Sequence, residues 1–175
     1  MKIDFTGKTV LVTGASGGIG RAISLAFSRT NATIHAHYKS NKKEAEKTLQ
    51  LLSGDNHSLH QADLSNHKDV EAMINNIGNI NIVVNNAAVV QQHEFDLLDY
   101  EDWGKIWEET IGANLMGPAY LMFLTSKNMQ KNGGGKFINI SSRGAFRGEP
   151  KAAAYGASKA GLNALGQSMA QALAK

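Results

Sequence analysis

Short apolar runs alternate with amphipathic stretches along the whole chain. Residues 8–13 (KTVLVT) form a β-branched run ending in a glycine-rich turn, and residues 19–29 then place Ile23, Ala26 and Phe27 on one helix face. The alternation repeats, predicting strands at 32–37, 57–62, 80–84 (INIVV) and 137–141 (FINIS). Helices are predicted at 42–52, about 66–77 and from about 153 onward. Residues 101–130 read as one long helix, bent by Gly112, Gly117 and Pro118 and broken by the glycine-rich 131–135. Continuous apolar strands separated by helices imply a doubly wound parallel sheet with helices on both faces, a Rossmann-type α/β/α fold. No linker, repeat or low-complexity segment interrupts the pattern, so residues 1–175 read as a single domain.

Composition narrows the function classes. With 42% hydrophobic and 19% charged residues, the chain suits a soluble domain able to bury a sizeable core. No stretch approaches the apolar length of a membrane span, and the N-terminus MKIDFTGKTVLVTG carries charges where a signal peptide would be apolar. The absence of cysteine removes disulfides and thiolate chemistry and leads us to expect a cytoplasmic protein. The net charge is only +3 and the basic residues are scattered, so no nucleic-acid surface is expected. One local cluster, Lys39, Lys42 and Lys43, suits an anionic small molecule. Among the six histidines no carboxylate or cysteine completes a ligand set, and no metal site is expected.

Two stretches carry chemistry. TGASGGIG (13–20) lies between the first strand and the first helix, where Gly14, Gly18 and Gly20 let the backbone turn tightly and approach a pyrophosphate. No Gly-Lys-Ser/Thr follows, which excludes a nucleoside-triphosphate P-loop. The second strand ends in AHYKSNKK (36–43), which contains no acid to hold a ribose 2′-hydroxyl. Tyr38, Lys39 and Ser40 instead offer room, charge and a hydrogen bond for a 2′-phosphate, so NADP(H) is preferred over NAD(H). Further on, AAAYGASKAG (152–161) puts Tyr155 and Lys159 on one helix face, either as an ordinary contact on a small-residue helix or as a pair whose cation lowers the phenol pKa toward acid/base use.

In this order the motifs resemble the classical short-chain dehydrogenase/reductase family along nearly the whole chain, with a general layout similar to that of the 3-oxoacyl-thioester reductases. The resemblance places Gly14, Ser16, Ile19 and Gly20 along the pyrophosphate, and Asp63 with Leu64 against the adenine. NNAA (85–88) matches the family's NNAG with Ala88 in place of glycine; Asn85 and Ala87 keep their positions, and Asn86 and Ala87 are cofactor contacts. Asn114 in ANLMG, INISS (138–142) and YGASK (155–159) supply the catalytic set. The family's serine lies thirteen residues before the tyrosine, which selects Ser142 over Ser141.

The resemblance implies that Tyr155 exchanges a proton with the carbonyl or alcohol oxygen of a small-molecule substrate. Lys159 lowers its pKa and, with Tyr155, contacts the nicotinamide ribose. Ser142 holds the substrate oxygen, and Asn114 positions a water that links Lys159 to solvent. Gln91, Gln92 and His93 border the expected substrate pocket, while Trp103 and Trp107 read as packing and Arg143 and Arg147 as solvated charges. Ala153, Ala157, Ala160 and Ala164 form a small-residue helix face suited to a homodimer or homotetramer. Family members continue for several tens of residues beyond this point, so the domain is expected to be incomplete at its C-terminus. Two classes of function follow, a carbonyl-reducing oxidoreductase and a truncated non-catalytic nucleotide-binding or interaction module. The intact catalytic set favours the first.

Overall fold

Five short strands pair in parallel in the order β3-β2-β1-β4-β5: β1 (Thr9–Val12), β2 (Thr33–Tyr38), β3 (Ser58–Gln61), β4 (Ile82–Asn85) and β5 (Lys136–Asn139). The structure, a computed structural model, describes residues 3–174. Between the strands run α1 (Gly18–Ser28), α2 (Lys42–Leu51), α3 (His67–Ile77), α4 (Tyr100–Ile111) and α5 (Gly117–Lys131). A short α6 (Gly144–Arg147) and a long α7 (Ala153–Leu173) follow β5. Among the described residues no helix is long and apolar enough to cross a membrane.

The pleat divides the core into two layers. Leu11 and Val83 are in register and join Val70, Met73, Ile74 and Leu121 of α3 and α5 on one face, with α7 beside α5. Val10, Val12, Ile34, Ile82 and Val84 point to the other face, against α1. On α1 the buried stripe is Gly20, Ser24 and Ser28, with Ile23 and Phe27 half-buried and Ala26 exposed. Small residues on that stripe bring the helix close to the sheet, which a stripe of large apolar side chains would not do.

Several boundaries differ from the sequence pattern for identifiable reasons. The long helix is continuous from Tyr100 to Lys131 but contains a π-helical turn, Gly112–Met116. Its glycines serve close approach: a Cβ at 112 would lie 2.9 Å from the Ser65 Cβ, and one at 117 would lie 2.7 Å from the Leu64 Cβ. Pro118 has no N–H, so the carbonyl of Asn114, four residues earlier, has no α-helical partner there. β5 stops at Asn139, two residues short of the FINIS run, because its partner β4 ends at Asn85, opposite Asn139; the Ile140 amide still donates to the Asn85 carbonyl at 3.0 Å. It is an edge strand, and Ile138 remains 38% exposed.

Candidate active site

β1 delivers Thr13 to the C-terminal edge of the sheet, where its hydroxyl becomes a junction. Thr13 Oγ1 donates to the Val84 carbonyl (3.1 Å) and accepts from the amides of Asn86 (2.9 Å) and Ala87 (3.0 Å). Asn86 Nδ2 returns a 2.8 Å hydrogen bond to the Thr13 carbonyl. The turn from 13 to 20 is thereby fastened to the loop after β4. Gly14 has φ +65°, and a Cβ there would lie 2.9 Å from the Ala87 Cα; a Cβ at Gly20 would lie 2.3 Å from the Gly14 carbonyl oxygen. Only glycine fits either place. α1 has no side-chain N-cap, which leaves its first-turn amides without intrahelical partners at the mouth of the turn.

That turn forms one wall of a cleft of about 550 Å³ along the strand ends. Gly14, Ser16, Gly18, Ile19, Lys39, Ser40, Asp63, Leu64, Asn86 and Ala87 line it, bringing most of the expected cofactor residues together. Ile19 presents a side chain 61% exposed on this wall, where an apolar ring system would cover it. Gly20 packs behind the turn rather than on the cleft surface. The expectation for Tyr38 needs correcting. It is 6% exposed and, by strand alternation, shares the Ile34–Ala36 face against the α1–α2 layer, so it is a core residue and not a wall of the 2′-phosphate site. The fit to a dinucleotide is otherwise good: a glycine cradle, free helix amides, an apolar wall, and Lys39 at the end of β2.

Lys39 pairs with Asp63 across this cleft, Nζ to Oδ2 at 2.9 Å. Partial burial pushes the Asp63 carboxyl up, but hydrogen bonds from Lys39 and Ser65 outweigh it and hold the group below its usual range. On the far side of the sheet edge, His35 Nδ1 and His60 Nε2 lie 2.8 Å apart with Ser58 Oγ 2.9 Å from each. Among the described residues no three His, Cys, Asp or Glu side chains gather as a metal site.

The candidate catalytic residues come from three elements. Tyr155 and Lys159 lie one turn apart on α7, with Lys159 Nζ 5.9 Å from the Tyr155 ring centroid. Lys159 is 2% exposed, and its ammonium donates a 2.7 Å hydrogen bond to the Ile140 carbonyl just past β5. Burial pushes its pKa down to about 8. Ser142 follows at the start of the bend into α6, where its Oγ accepts from the Gly144 amide at 3.2 Å. The neighbouring Ser141 Oγ is buried without a hydrogen-bond partner.

Asn114 is fully buried in the π turn, and its side chain is completely engaged. Oδ1 accepts from the Val89 amide (2.7 Å), while Nδ2 donates to the Val89 carbonyl (2.9 Å) and to Ser158 Oγ (3.1 Å). The asparagine thus pins the loop after β4 to α7. His93 is 8% exposed, with its ring edge-on to Trp103. Thr13 and Ser158 fasten these loops to the sheet and to α7, and sequence reasoning missed both. Thr13 and Ser158 sit inside the TGASGGIG and YGASK motifs, but nothing local in the sequence marks their partners.

Comparison with known proteins shows the family of the chain. Residues 8–175 match the family model described as short chain dehydrogenase. An uncharacterized oxidoreductase of Thermotoga maritima is 31% identical over 172 residues, covering 96% of this chain and 66% of its own length. A 3-oxoacyl-acyl-carrier-protein reductase of Rickettsia felis is 33% identical over 172 residues, covering 98% and 69%. Among solved structures, an acetoin dehydrogenase from Salmonella typhimurium superposes with a TM-score of 0.82 at 27% identity, covering 95% of this chain and 67% of its own. The chain therefore spans about two thirds of the length of these proteins. With its sheet order, its glycine turn and this match over residues 8–175, the chain belongs to the short-chain dehydrogenase family.

Proposed function

We propose that the protein is an NADP(H)-dependent oxidoreductase that interconverts a carbonyl and a secondary alcohol, with Tyr155 as acid/base. The observation that carries this reading is the buried Lys159 ammonium one helical turn from Tyr155, at the same sheet edge as the dinucleotide-sized cleft. A bound nicotinamide supplies or accepts the hydride. In reduction, the Tyr155 phenol gives its proton to the substrate oxygen, and in oxidation the phenolate takes it back. Lys159, held by the Ile140 carbonyl, keeps a positive charge near the phenol and favours the phenolate. The Ser142 hydroxyl donates a hydrogen bond to the same substrate oxygen as charge develops on it.

Lys39 and Ser40 on the cleft wall, without a carboxylate at the end of β2, support a 2′-phosphate. The substrate class is a ketone or 3-oxoacyl thioester, the latter suggested by the named activity of the Rickettsia felis relative. The protein is assigned to the cytoplasm and to a homodimer or homotetramer; Ala157, Ala160 and Ala164 of α7 are exposed and small enough for close helix approach. The test is NADPH oxidation against a panel of ketones and 3-oxoacyl thioesters. Substrate-dependent loss of NADPH is expected. Binding of NADPH with no turnover on any carbonyl would favour a nucleotide-binding module instead.

A further inference from the structure

The glycine turn of the cleft is held by a histidine that itself lines the cleft. His37, at the end of β2, is 2% exposed, and both of its ring nitrogens have partners. The Gly14 amide points at Nδ1 from 3.2 Å, and Nε2 lies 3.0 Å from the Ala62 carbonyl oxygen. A carbonyl can only accept, so Nε2 carries the hydrogen and Nδ1 presents its lone pair to Gly14. The backbone carbonyl of His37 also accepts from the Ala15 amide at 2.8 Å. One residue therefore receives two successive amides of the glycine turn. Through Nε2 it reaches the residue directly before Asp63 and Leu64. Burial pushes the His37 pKa down to about 4, which keeps the ring neutral at ordinary pH.

We infer that His37 is a positioning residue for nucleotide binding, fixed as the neutral Nε2–H tautomer, which sets the Gly14 turn against the Asp63–Leu64 wall. The inference rests on the reading of this cleft as a nucleotide site. Gly14 cannot steady itself, because it has φ +65° and no side chain. If the acceptor were lost, its half-buried amide would lack a partner, and the turn would shift to find one. The amides consumed by His37 are Gly14 and Ala15, which leaves phosphate contact to the first turn of α1. His37 thus orients the turn that carries the phosphate donors.

Two substitutions separate this role from general packing. His37→Asn places a carbonyl oxygen where Nδ1 sits and keeps the acceptor for Gly14, but it gives up the reach to Ala62. His37→Gln extends its amide toward Nε2, so it keeps the donor for Ala62 and gives up the acceptor for Gly14. Each leaves one orphan, so a merely structural residue would tolerate or reject both alike. NADPH binding to the two variants and wild type should be titrated by fluorescence alongside thermal unfolding. The Asn variant is expected within about threefold of wild type, and the Gln variant about tenfold weaker at comparable thermal stability. Equal losses, or a Gln variant that binds better, would overturn the inference. Nitrogen-15 spectra of the nucleotide-free chain give a second readout: Nδ1 protonation of His37 at neutral pH would also overturn it. A wild-type chain that bound no nucleotide would refute the functional reading, and the ring-nitrogen spectrum would still decide the Gly14 contact.

Discussion

Asn114 Nδ2 donates to Ser158 Oγ at 3.1 Å, and Ser158 Oγ donates in turn to the Tyr155 carbonyl oxygen at 2.7 Å. The π turn and the Tyr155–Lys159 face of α7 are therefore joined through one buried hydroxyl. Ser158→Ala removes that join but leaves Asn114 its two bonds to Val89. The expected outcome is a kcat about tenfold lower with little change in the KM for NADPH, because the loss is one of alignment and not of cofactor contacts. Steady-state kinetics with unchanged circular dichroism would check it; an unchanged kcat would show that the join is dispensable.

Among the described residues Lys159 is the largest fully buried side chain, and burying its charge works against folding. Its folded pKa lies below the ordinary 10.5, at about 8. The unfolded chain therefore binds the extra proton between these values, and stability rises as the pH climbs from about 8 to 10.5. Below pH 8 both states are protonated and the full penalty applies. Lys159→Met should abolish turnover yet raise Tm at pH 7 by on the order of 5 °C, and it should lose the alkaline gain. Calorimetry at pH 7 and pH 9.5 would test both parts; a lower Tm for the variant at pH 7 would contradict the account.

On the cofactor, the burial of Tyr38 moves the weight onto Lys39. Lys39→Ala should weaken NADPH about tenfold and leave NADH nearly unchanged, since only the former carries the 2′-phosphate. The Lys39–Asp63 ion pair gives a second expectation. Asp63→Asn removes the competing carboxylate from Lys39 and should tighten NADPH binding at low salt and widen the effect of salt on it. Parallel titrations of both nucleotides at low and high salt would decide. Equal weakening of NADPH and NADH by Lys39→Ala would remove the basis for the NADP(H) preference.

Acid should unfold the chain through its histidines. Burial pushes His35 and His37 from 6.5 to about 4, so between these values the unfolded chain takes up protons that the folded one refuses. The stability contributed is fully present above about pH 6.5 and declines as the pH falls to about 4. Urea midpoints at pH 7, 5.5 and 4.5 should fall in that order, and His37→Asn should flatten part of the slope. A midpoint independent of pH over this range would show that neither histidine is buried as described.

Legibility in the sequence followed the range of the interaction. The strands, the glycine turn and the Tyr155–Lys159 spacing are local patterns, and the parallel sheet follows from their alternation. Tyr38 was misplaced because its position near the end of β2 gives the neighbourhood but not the face. The alternation of Ile34, Ala36 and Tyr38 carries the answer only once the core side of the sheet is known. The roles of Thr13, His37 and Ser158 depend on partners 71 residues away at Val84, 23 away at Gly14 and 44 away at Asn114, which no local pattern encodes. Gly112 and Gly117 read as bend points, whereas their lack of a side chain admits Leu64 and Ser65.

The central claim is that Tyr155 moves the proton while other residues hold the cofactor. It is tested most directly by carbonyl-dependent NADPH oxidation and NADPH affinity, measured together for wild type and Tyr155→Phe. The account predicts that the variant keeps NADPH affinity within about threefold and loses at least a hundredfold in kcat, the usual scale for removing a general acid. A Tyr155→Phe protein that still reduced the same carbonyl at close to the wild-type rate would contradict it.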